Sequence, residues 1–395
     1  MHGNFVFLTD NNITFNPFST NILDVSNKDI KKIEHNTTLG FSEITRCAKD
    51  IETTSTVYLG INYNIEVRKI IMFNTSNETR QIDITTYIEP ALTDYMTQIV
   101  HPSFNNLQIE TEYNKDLDVL IASKRLKNET DKNIYLYAKL IGIDLNKQME
   151  TEKIKLDKLD PSMYDNNIAK YPLWPILSYK ANVILTPYER QEFYYVIGVS
   201  DNVYDIKNAI VNMDKDMLDK EFNLACNLST IVSRYLKLED AKVFIYNNLL
   251  KELLFNKKKI DDKFFGYNLD QSMLWKYGIS GDFPILLITI NGIENINLIN
   301  EVISFMDYVK NRKIDLDIIV LSTDNKYSEK VYCKLDKNIT NTNYMDYTKG
   351  NIYLFNKDKL NKDELDLFDF ISNIKIDNLD VFLTEKEKLR GSKDE

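Results

Sequence analysis

The chain has few of the residues that build covalent or metal-linked frameworks. Of its 395 residues only three are cysteines, Cys47, Cys226 and Cys333, which are far apart and odd in number. This spacing excludes a disulfide framework and the cysteine pairs of a zinc site. It indicates a reducing compartment, for which we predict the cytoplasm. We expect no metal and no cofactor.

Positive charge and long apolar runs are also scarce. The formal net charge is -10 and the isoelectric point is near 5.1, so the chain lacks the basic face that nucleic acids and anionic membranes require. A neutral ligand such as a sugar remains compatible with this charge. No apolar run approaches the ~20 residues of a membrane span, and the start lacks the basic and apolar parts of a signal peptide. We expect no membrane span and no nucleic-acid partner.

The first half of the chain shows the residue pattern of β-strands. Runs such as "STVYLGINY" (55–63) and "IEVRKIIMFN" (65–74) are followed by turns rich in Asn, Asp and Ser. Repetition of such runs at short intervals predicts an antiparallel β-sandwich. The last pair of runs ends near residue 200. We therefore predict one sandwich domain over residues 1–204.

The pattern then changes to helical spacing and afterwards to alternating strands and helices. Apolar residues recur at three- and four-residue intervals over 219–236, including Leu228, and over 238–255, including Phe244, which predicts a helical connector over 205–262. The apolar runs "PILLITI" and "LDIIVLS" flank a helical pattern at 295–313, which predicts a βαβ unit in a small α/β domain over 263–376. Residues 377–395 form a charged tail. The predicted class is an α+β multidomain protein.

A glycine-containing segment, "GISGD", precedes the first strand of the predicted α/β domain. Phosphate-binding loops follow a strand and open a helix, whereas here the order is reversed and no Lys-Ser/Thr pair follows. We therefore predict a turn with positive φ at Gly278 or Gly281. In this turn Asp282 would bind nearby backbone N–H groups.

Two carboxylates and one histidine are candidates for acid–base chemistry. Glu110 and Glu112 share one face of a predicted strand, and glycoside cleavage uses two carboxyl groups about 5–9.5 Å apart. The same alternation is typical of the solvated face of a sandwich, which we favour. His101 precedes Pro102, which predicts an extended backbone at His101 and a structural rather than a catalytic role.

An aromatic cluster in "YPLWPILSY" is the candidate for sugar binding. Tyr171 and Trp174 offer flat apolar faces beside two prolines, a composition that suits stacking against a sugar ring. The alternative is that the prolines and aromatic rings, including Tyr179, seal one end of the sandwich. Both interpretations stay open from the residues alone, with the structural one favoured.

Several segments together carry a family resemblance. The order "ITTYIEPAL", "HPSFNNLQIETEY", "LIASKRL" and later "LWKYGISGDFPILLITI" resembles glycoside hydrolase family 94, especially its cyclic β-1,2-glucan synthase and 1,2-β-oligoglucan phosphorylase branch. The resemblance covers about residues 51–373. It implies an antiparallel β-supersandwich of the galactose-mutarotase type at the start of the chain. It also implies that the glycine-containing segment, with Trp275 and Tyr277 packed beside it, is non-catalytic.

The same resemblance implies an activity that this chain does not carry alone. The family transfers or phosphorolyses β-linked glucosyl units with an acid on an (α/α)6 barrel, and no matching barrel segment is found in the sequence. No catalytic residue is therefore carried over. The chain resembles a part of the longer enzymes: a split subunit, a truncated product or a remnant.

Three hypotheses follow from these observations. The first is a non-catalytic β-glucan-binding and scaffolding portion of a phosphorylase or glycosyltransferase system, whose partner chain carries the barrel. The second is a self-contained sugar-active enzyme, an epimerase or glycosidase using Glu110, Glu112 or His101. The third is an inactive remnant without a ligand.

Overall fold

A computed structural model of the chain describes residues 3–10, 13–19, 30–38, 40–125, 133–143, 147–153, 168–255, 270–290, 296–322 and 350–377. The chain divides into two units, Met1–Thr230 and Ile231–Glu395. The predicted charged tail lies outside the described residues except for Asp377. In these described stretches, no helix combines the length and apolarity needed to cross a membrane.

The first unit is built from two antiparallel sheets. Its strands are β1 (Asn4–Asp10), β2 (Ile13–Phe15), β3 (Ile30–Thr37), β4 (Phe41–Ala48), β5 (Ile51–Leu59), β6 (Ile65–Asn74), β7 (Arg80–Ile88), β8 (Ile109–Asn114), β9 (Val119–Lys124), β10 (Tyr135–Ile141), β11 (Gln148–Glu152), β12 (Pro175–Leu185) and β13 (Arg190–Ser200). One sheet has the order β11-β12-β7-β1-β2 and the other β3-β4-β5-β6-β13-β10-β9-β8. The predicted antiparallel sandwich is confirmed.

The main core lies between these sheets because the inward-facing positions of their strands are apolar. Ile84 on β7 and Leu177 on β12 face inward from the five-stranded sheet, and Ile70 and Phe193 do so from the eight-stranded sheet. Tyr179 crosses this core. Its hydroxyl donates to the Ala138 carbonyl at 2.9 Å and accepts from the Leu120 N–H at 3.0 Å, so it joins β12 to two strands of the opposite sheet.

Three helices and most of a fourth complete the first unit: α1 (Tyr95–Val100), α2 (Pro102–Asn106), α3 (Val203–Val211) and α4 (Lys215–Tyr235), of which the part up to Thr230 belongs to this unit. The apolar residues of α3 and of the start of α4, including Ile206 and Leu218, pack on the outer face of the eight-stranded sheet against Val67 and Val196. The outer face of this sheet is therefore apolar as well, which requires the helices to cover it.

A buried carboxylate fastens α4 to the sandwich. Glu221 accepts hydrogen bonds from the backbone N–H groups of Ile61 and Asn62 at 2.6 and 3.0 Å and from the Asn62 side chain at 2.7 Å. The Tyr58 hydroxyl donates to the Leu218 carbonyl at 2.8 Å. These contacts hold the turn after β5 against the helix.

The second unit is an α/β arrangement. Its elements are α5 (Asp240–Phe255), a 3-10 helix (Gln271–Tyr277), β14 (Ile285–Ile290), α6 (Ile296–Asn311), β15 (Asp317–Ser322), β16 (Ile352–Asn356), a 3-10 turn (Lys357–Lys359), α7 (Lys362–Ile371) and β17 (Ile374–Ile376). The strands are parallel, in the order β16-β15-β14-β17. The predicted βαβ unit is confirmed as β14, α6 and β15.

The apolar faces predicted for the connector helices are partly wrong. Leu228 on α4 and Phe244 on α5 are exposed. The buried face of α5 contains Tyr246. The Tyr246 hydroxyl donates to Glu301 on α6 at 3.0 Å, and its ring packs edge-on against Phe305. This contact with α6 determines which face of α5 is buried. The spacing of apolar residues along α5 alone does not predict it.

Candidate functional site

A cleft of about 670 Å³, here called the tryptophan cleft, opens beside the start of β1 and the end of β7. Its walls come from β1, from the segment after β7, from α1 and α2, and from the residues that lead into β12. This volume lies within the range of roughly 300–1,000 Å³ found for small-molecule sites. Trp174 and Pro102, both singled out from the sequence, line it.

Trp174 presents an apolar surface in this cleft. Its side chain is about half exposed, and the backbone N–H groups of Leu173 and Trp174 donate to the Glu152 carboxylate at 2.7 and 2.9 Å. The Lys153 N–H donates to the Trp174 carbonyl at 2.9 Å. The backbone of the loop that carries the indole is thus anchored to the end of β11.

Two amide oxygens lining the cleft lack hydrogen-bond partners among the described residues. They are Oε1 of Gln98 on α1 and Oδ1 of Asn4 on β1, and both atoms are buried. The Nδ2 of Asn4 donates to Glu66 at 3.2 Å, which fixes the direction of its amide. Buried polar atoms normally have a partner, so two acceptors without one, on residues that line the same cleft, favour a ligand that brings hydrogen-bond donors.

A charged pair completes the cleft wall. Glu89 is largely buried. Its carboxylate accepts a hydrogen bond from the Tyr87 hydroxyl and forms an ion pair with the Lys153 ammonium group. A buried carboxylate of this kind is stable because it is both paired and hydrogen-bonded. Together the cleft offers an aromatic face, amide acceptors and one paired charge, which is a suitable lining for a polyhydroxylated molecule.

The other predicted binding residues form a separate cluster. Glu110 and Glu112 lie on one face of β8, as predicted, and the Glu110 carboxylate is 3.7 Å from Nε of Arg125. The Arg125 guanidinium lies 5.4 Å and the Lys170 ammonium 5.3 Å from the centroid of the Tyr171 ring. The hydrogen bond to Tyr171 and the nearby glutamates raise the pKa of Lys170.

This cluster has the features of a solvated surface rather than of an enclosed reaction site. The side chains of Arg125 and Glu110 are 50% and 30% exposed, and exposed ion pairs of this kind contribute little energy. Two cations already contact the ring of Tyr171. Trp174, by contrast, lines the cleft, so the structure separates the two aromatic residues that the sequence grouped together.

The histidine–proline segment has a structural role at the junction of α1 and α2. The N–H of His101 donates to the Thr97 carbonyl, and its own carbonyl accepts from the Asn105 N–H. The predicted extended backbone is only half correct, since φ is -131° but ψ is 53°. One residue both ends α1 and starts α2, so the chain must turn there. Pro102 is the first residue of α2.

The glycine-containing segment is a helix cap followed by a turn. Gly278 has φ 74° and ends the 3-10 helix, donating to the Leu274 and Trp275 carbonyls, and Gly281 has φ 76°. Positive φ at both positions agrees with the predicted turn. The N–H of Asp282 donates to the Ser280 hydroxyl at 3.2 Å.

The aromatic neighbours of this segment differ from each other. Tyr277 packs in the core of the second unit against Phe355 and Phe368. Trp275 is 66% exposed, so the prediction that it packs beside the glycines is wrong. It faces elsewhere because a 3-10 helix has three residues per turn, so side chains two positions apart project in directions about 120° apart.

No local sequence pattern identifies Asn4, Gln98, Glu89 or Lys153 as members of the cleft. Asn4 reaches the site because β1 pairs with β7 in a register that sets it opposite Ile88. Only "YIEP", which contains Glu89, was noticed, and then as part of a resemblance. Among the described residues, no group of three or more His, Cys, Asp or Glu side chains has the arrangement of a metal site.

Comparison with known proteins gives consistent matches. The sequence profile of the glycosyl hydrolase 94 supersandwich domain matches residues 1–216. The cyclic beta-(1,2)-glucan synthase NdvB of Rhizobium meliloti (strain 1021) is 23% identical over 300 residues, which cover 71% of this chain and 10% of that protein. The chain thus spans about a tenth of the length of this relative.

Solved structures with similar regions include two carbohydrate-active enzymes. A bacterial glucoamylase complexed with acarbose is 11% identical, with 62% of this chain and 34% of that chain covered and a TM-score of 0.39. The heparan sulfate lyase HepC from Pedobacter heparinus is 9% identical, with 49% and 24% covered and a TM-score of 0.25. The profile match covers more than half of the chain, which therefore belongs to the glycosyl hydrolase 94 supersandwich family, a family of glucan enzymes.

Proposed function

We propose that this chain is a non-catalytic recognition and scaffolding part of a β-glucan phosphorylase or glycosyltransferase system, and that it binds a β-glucan oligosaccharide in the tryptophan cleft. The observation that carries the proposal is the half-exposed Trp174 beside two buried amide oxygens without partners. A pyranose ring combines an apolar face with hydroxyl donors, so it complements both features at once.

The expected binding mode follows from the positions of the lining groups. The apolar face of a glucose ring stacks on the Trp174 indole, while ring hydroxyls approach the side-chain amides of Gln98 and Asn4, whose oxygens lack partners among the described residues. The ammonium group of Lys153, held by Glu89, donates to a further hydroxyl at the rim. The name of the similar Rhizobium protein supports a β-1,2-linked glucan as the ligand.

The scaffolding part of the proposal is supported by the surface next to the cleft. Five apolar residues on or next to α1 and α2 are each at least 49% exposed: Met96, Ile99, Val100, Phe104 and Leu107. Clustered exposed apolar side chains mark surfaces that contact other macromolecules. We propose that a chain carrying an (α/α)6 barrel docks here and supplies catalysis, in the cytoplasm.

A titration with variants tests the binding role. Short linear β-1,2-glucan oligosaccharides are titrated calorimetrically into the full chain, with β-1,4-linked oligosaccharides as the comparison. We expect Trp174→Ala to weaken binding at least about tenfold, or about 1.4 kcal/mol, because it removes the stacking surface. Trp275→Ala is the matched control, since Trp275 is exposed on the second unit. Equal loss in both variants would contradict the proposal.

A second measurement separates recognition from catalysis. The isolated chain is incubated with β-1,2-glucan and inorganic phosphate, and glucose 1-phosphate and free glucose are assayed. We expect no turnover by the chain alone. Turnover that Glu110→Gln or Glu112→Gln removes would instead establish the self-contained enzyme and overturn the non-catalytic role.

A further inference from the structure

A second cleft, here called the asparagine cleft, lies near α3, at the ends of central strands of the eight-stranded sheet. It has a volume of about 650 Å³ and shares no lining residue with the tryptophan cleft. Its walls come from the turn between β5 and β6, the start of β10, the end of β13 and the first turns of α3. All of these belong to the first unit.

The lining of this cleft is rich in amides and contains no cation. Asn62, Asn64, Asn133 and Asn208 line it together with two carboxylates and two tyrosines, and none of the described residues that line it is Lys, Arg or His. An amide group both donates and accepts, as a hydroxyl group does. The carboxylates of Asp201 and Asp205, without a cation among the described lining residues, disfavour phosphates and uronates by like-charge repulsion.

Tyr137 contributes a buried polar side chain to the lining of the cleft. The residue is only 2% exposed, and burial raises the pKa of its hydroxyl to about 12, so the hydroxyl is a neutral donor. Among the described residues it has no hydrogen-bond partner. A Cβ atom at Gly198 would lie 2.1 Å from Cζ of this ring, so only glycine there lets the ring take its position.

Three residues of the wall, Asn62, Asn64 and Ser200, are held by hydrogen bonds. The Glu221 carboxylate accepts a hydrogen bond from Nδ2 of Asn62 at 2.7 Å, which leaves Oδ1 of this amide as an acceptor for a ligand. Nδ2 of Asn64 donates to the Val199 carbonyl at 3.4 Å, and the Ser200 hydroxyl caps the following turn through Asn202. A site whose groups are already oriented loses little freedom when a ligand binds.

We infer that the asparagine cleft binds an uncharged polyhydroxylated ligand, a neutral hexose or the end of a short neutral oligosaccharide, as a second site separate from the tryptophan cleft. The hydroxyl groups of this ligand donate hydrogen bonds to Asp201 and Asp205, and they both donate to and accept from the asparagine amides. The Tyr137 hydroxyl donates to a ligand oxygen. The inference goes beyond the proposed function, because the ligand class follows from this lining alone.

Calorimetry on the full chain tests this second site. Glucose and a short β-1,2-glucan oligosaccharide are titrated into Trp174→Ala, in which the first cleft is impaired. We expect saturable binding to remain. Adding Tyr137→Phe or Asn208→Ala should weaken it at least about fivefold, the loss expected for one hydrogen bond in a polar site. Tyr204→Phe is the control. Tyr204 lies on α3, as Asn208 does, but it is 67% exposed and does not line the cleft.

The outcomes separate the two sites. If Trp174→Ala has no effect while Tyr137→Phe and Asn208→Ala remove binding, the second site stands and the proposed role of the first cleft fails. If Tyr137→Phe and Asn208→Ala change nothing, this inference is wrong. Glucuronate should bind at least about fivefold more weakly than glucose. Equal binding of the two, or binding of Ca²⁺ in place of sugar, would also overturn it. Thermal unfolding curves confirm that each variant is folded.

Discussion

The hydroxyl of Tyr179 shows how a single atom joins the two sheets. It is completely buried and bonds to Ala138 and Leu120 on the eight-stranded sheet, and burial raises its pKa well above the usual range. The interpretation that this residue helps to seal the sandwich is consistent with this position. A buried hydroxyl with two partners is costly to remove, because both partners then lose their bonds inside the core.

We predict that Tyr179→Phe lowers the free energy of unfolding by about 1–3 kcal/mol, because the buried Leu120 N–H is left without a partner. Urea denaturation followed by circular dichroism gives this value. Tyr188→Phe is the control, since Tyr188 is 64% exposed, and it should change stability by less than about 0.5 kcal/mol. Equal stability of the two variants would show that the cross-sheet bonds are not formed.

A second residue-scale feature is the buried carboxyl group of Asp317 at the start of β15. One oxygen accepts from the Asn351 N–H at 3.0 Å, and the other has no hydrogen-bond partner among the described residues. Burial and, to a lesser degree, Asp282 and Asp315 raise the pKa of Asp317. The folded state therefore binds a proton more tightly than the unfolded chain does.

We predict that Asp317 makes stability fall as pH rises. Its contribution is fully present below the unfolded pKa of about 3.9 and is lost as pH rises through the raised folded pKa. Asp317→Asn should therefore be more stable than the parent at pH 7, by about 1 kcal/mol, with little difference at pH 3. Denaturation at both pH values measures this, with Asp377→Asn at an exposed position as the control. A constant difference across pH would contradict the prediction.

At the scale of elements, the glycine-containing segment shows that a cap and not a ligand explains the sequence. Gly278 ends the 3-10 helix in the left-handed region, and a Cβ built there has no neighbour within 4 Å. The requirement for glycine is thus purely conformational. The Tyr353 hydroxyl donates to its carbonyl at 3.2 Å, which ties the cap to β16.

We predict that Gly278→Val lowers the free energy of unfolding by about 1–2 kcal/mol through backbone strain alone. Gly278→Asn should cost less than Gly278→Val, since asparagine adopts the left-handed conformation more easily. Chemical denaturation of the two variants provides the comparison. Equal costs for Val and Asn would mean that space and not backbone conformation limits the position.

At the scale of the whole molecule, α3 and α4 belong with the sandwich. The predicted domain boundary at residue 204 would separate the sheet from Ile206 and Leu218, which cover its outer apolar face, and from Glu221, which binds the turn after β5. The first unit of the structure extends to Thr230. We therefore propose that the first folding domain includes both helices.

Two fragments test this proposal. We expect residues 1–238 to unfold cooperatively and to keep the oligosaccharide binding of the full chain. We expect residues 1–204 to aggregate, because Val67 and Val196 lose their cover and become an exposed apolar patch. Circular dichroism and size-exclusion chromatography distinguish these results. A monomeric, cooperatively folded fragment 1–204 would restore the boundary predicted from the sequence.

Local patterns were sufficient for much of this architecture. Strand alternation up to residue 200, helical spacing after it and the apolar runs of β14 and β15 each repeat within a few residues, so neighbouring positions alone predicted the sandwich and the βαβ unit. The same locality explains the agreement at Gly278, where the cap depends on its own turn. It also explains the error at Phe244, where a distant contact sets the rotation of the helix.

The clefts depend on residues that only the folded chain brings together. Asn4, Gln98 and Trp174 line one cleft because β1 pairs with β7 and the loop before β12 bonds to Glu152. Tyr137 faces an open cleft because Gly198 lies against its ring on the neighbouring strand. The sequence by itself determined the helices, the strands and the family, since each of these depends on patterns of residues within short segments. The tertiary structure decided the binding surfaces, since strand register and long-range packing fix which distant side chains meet.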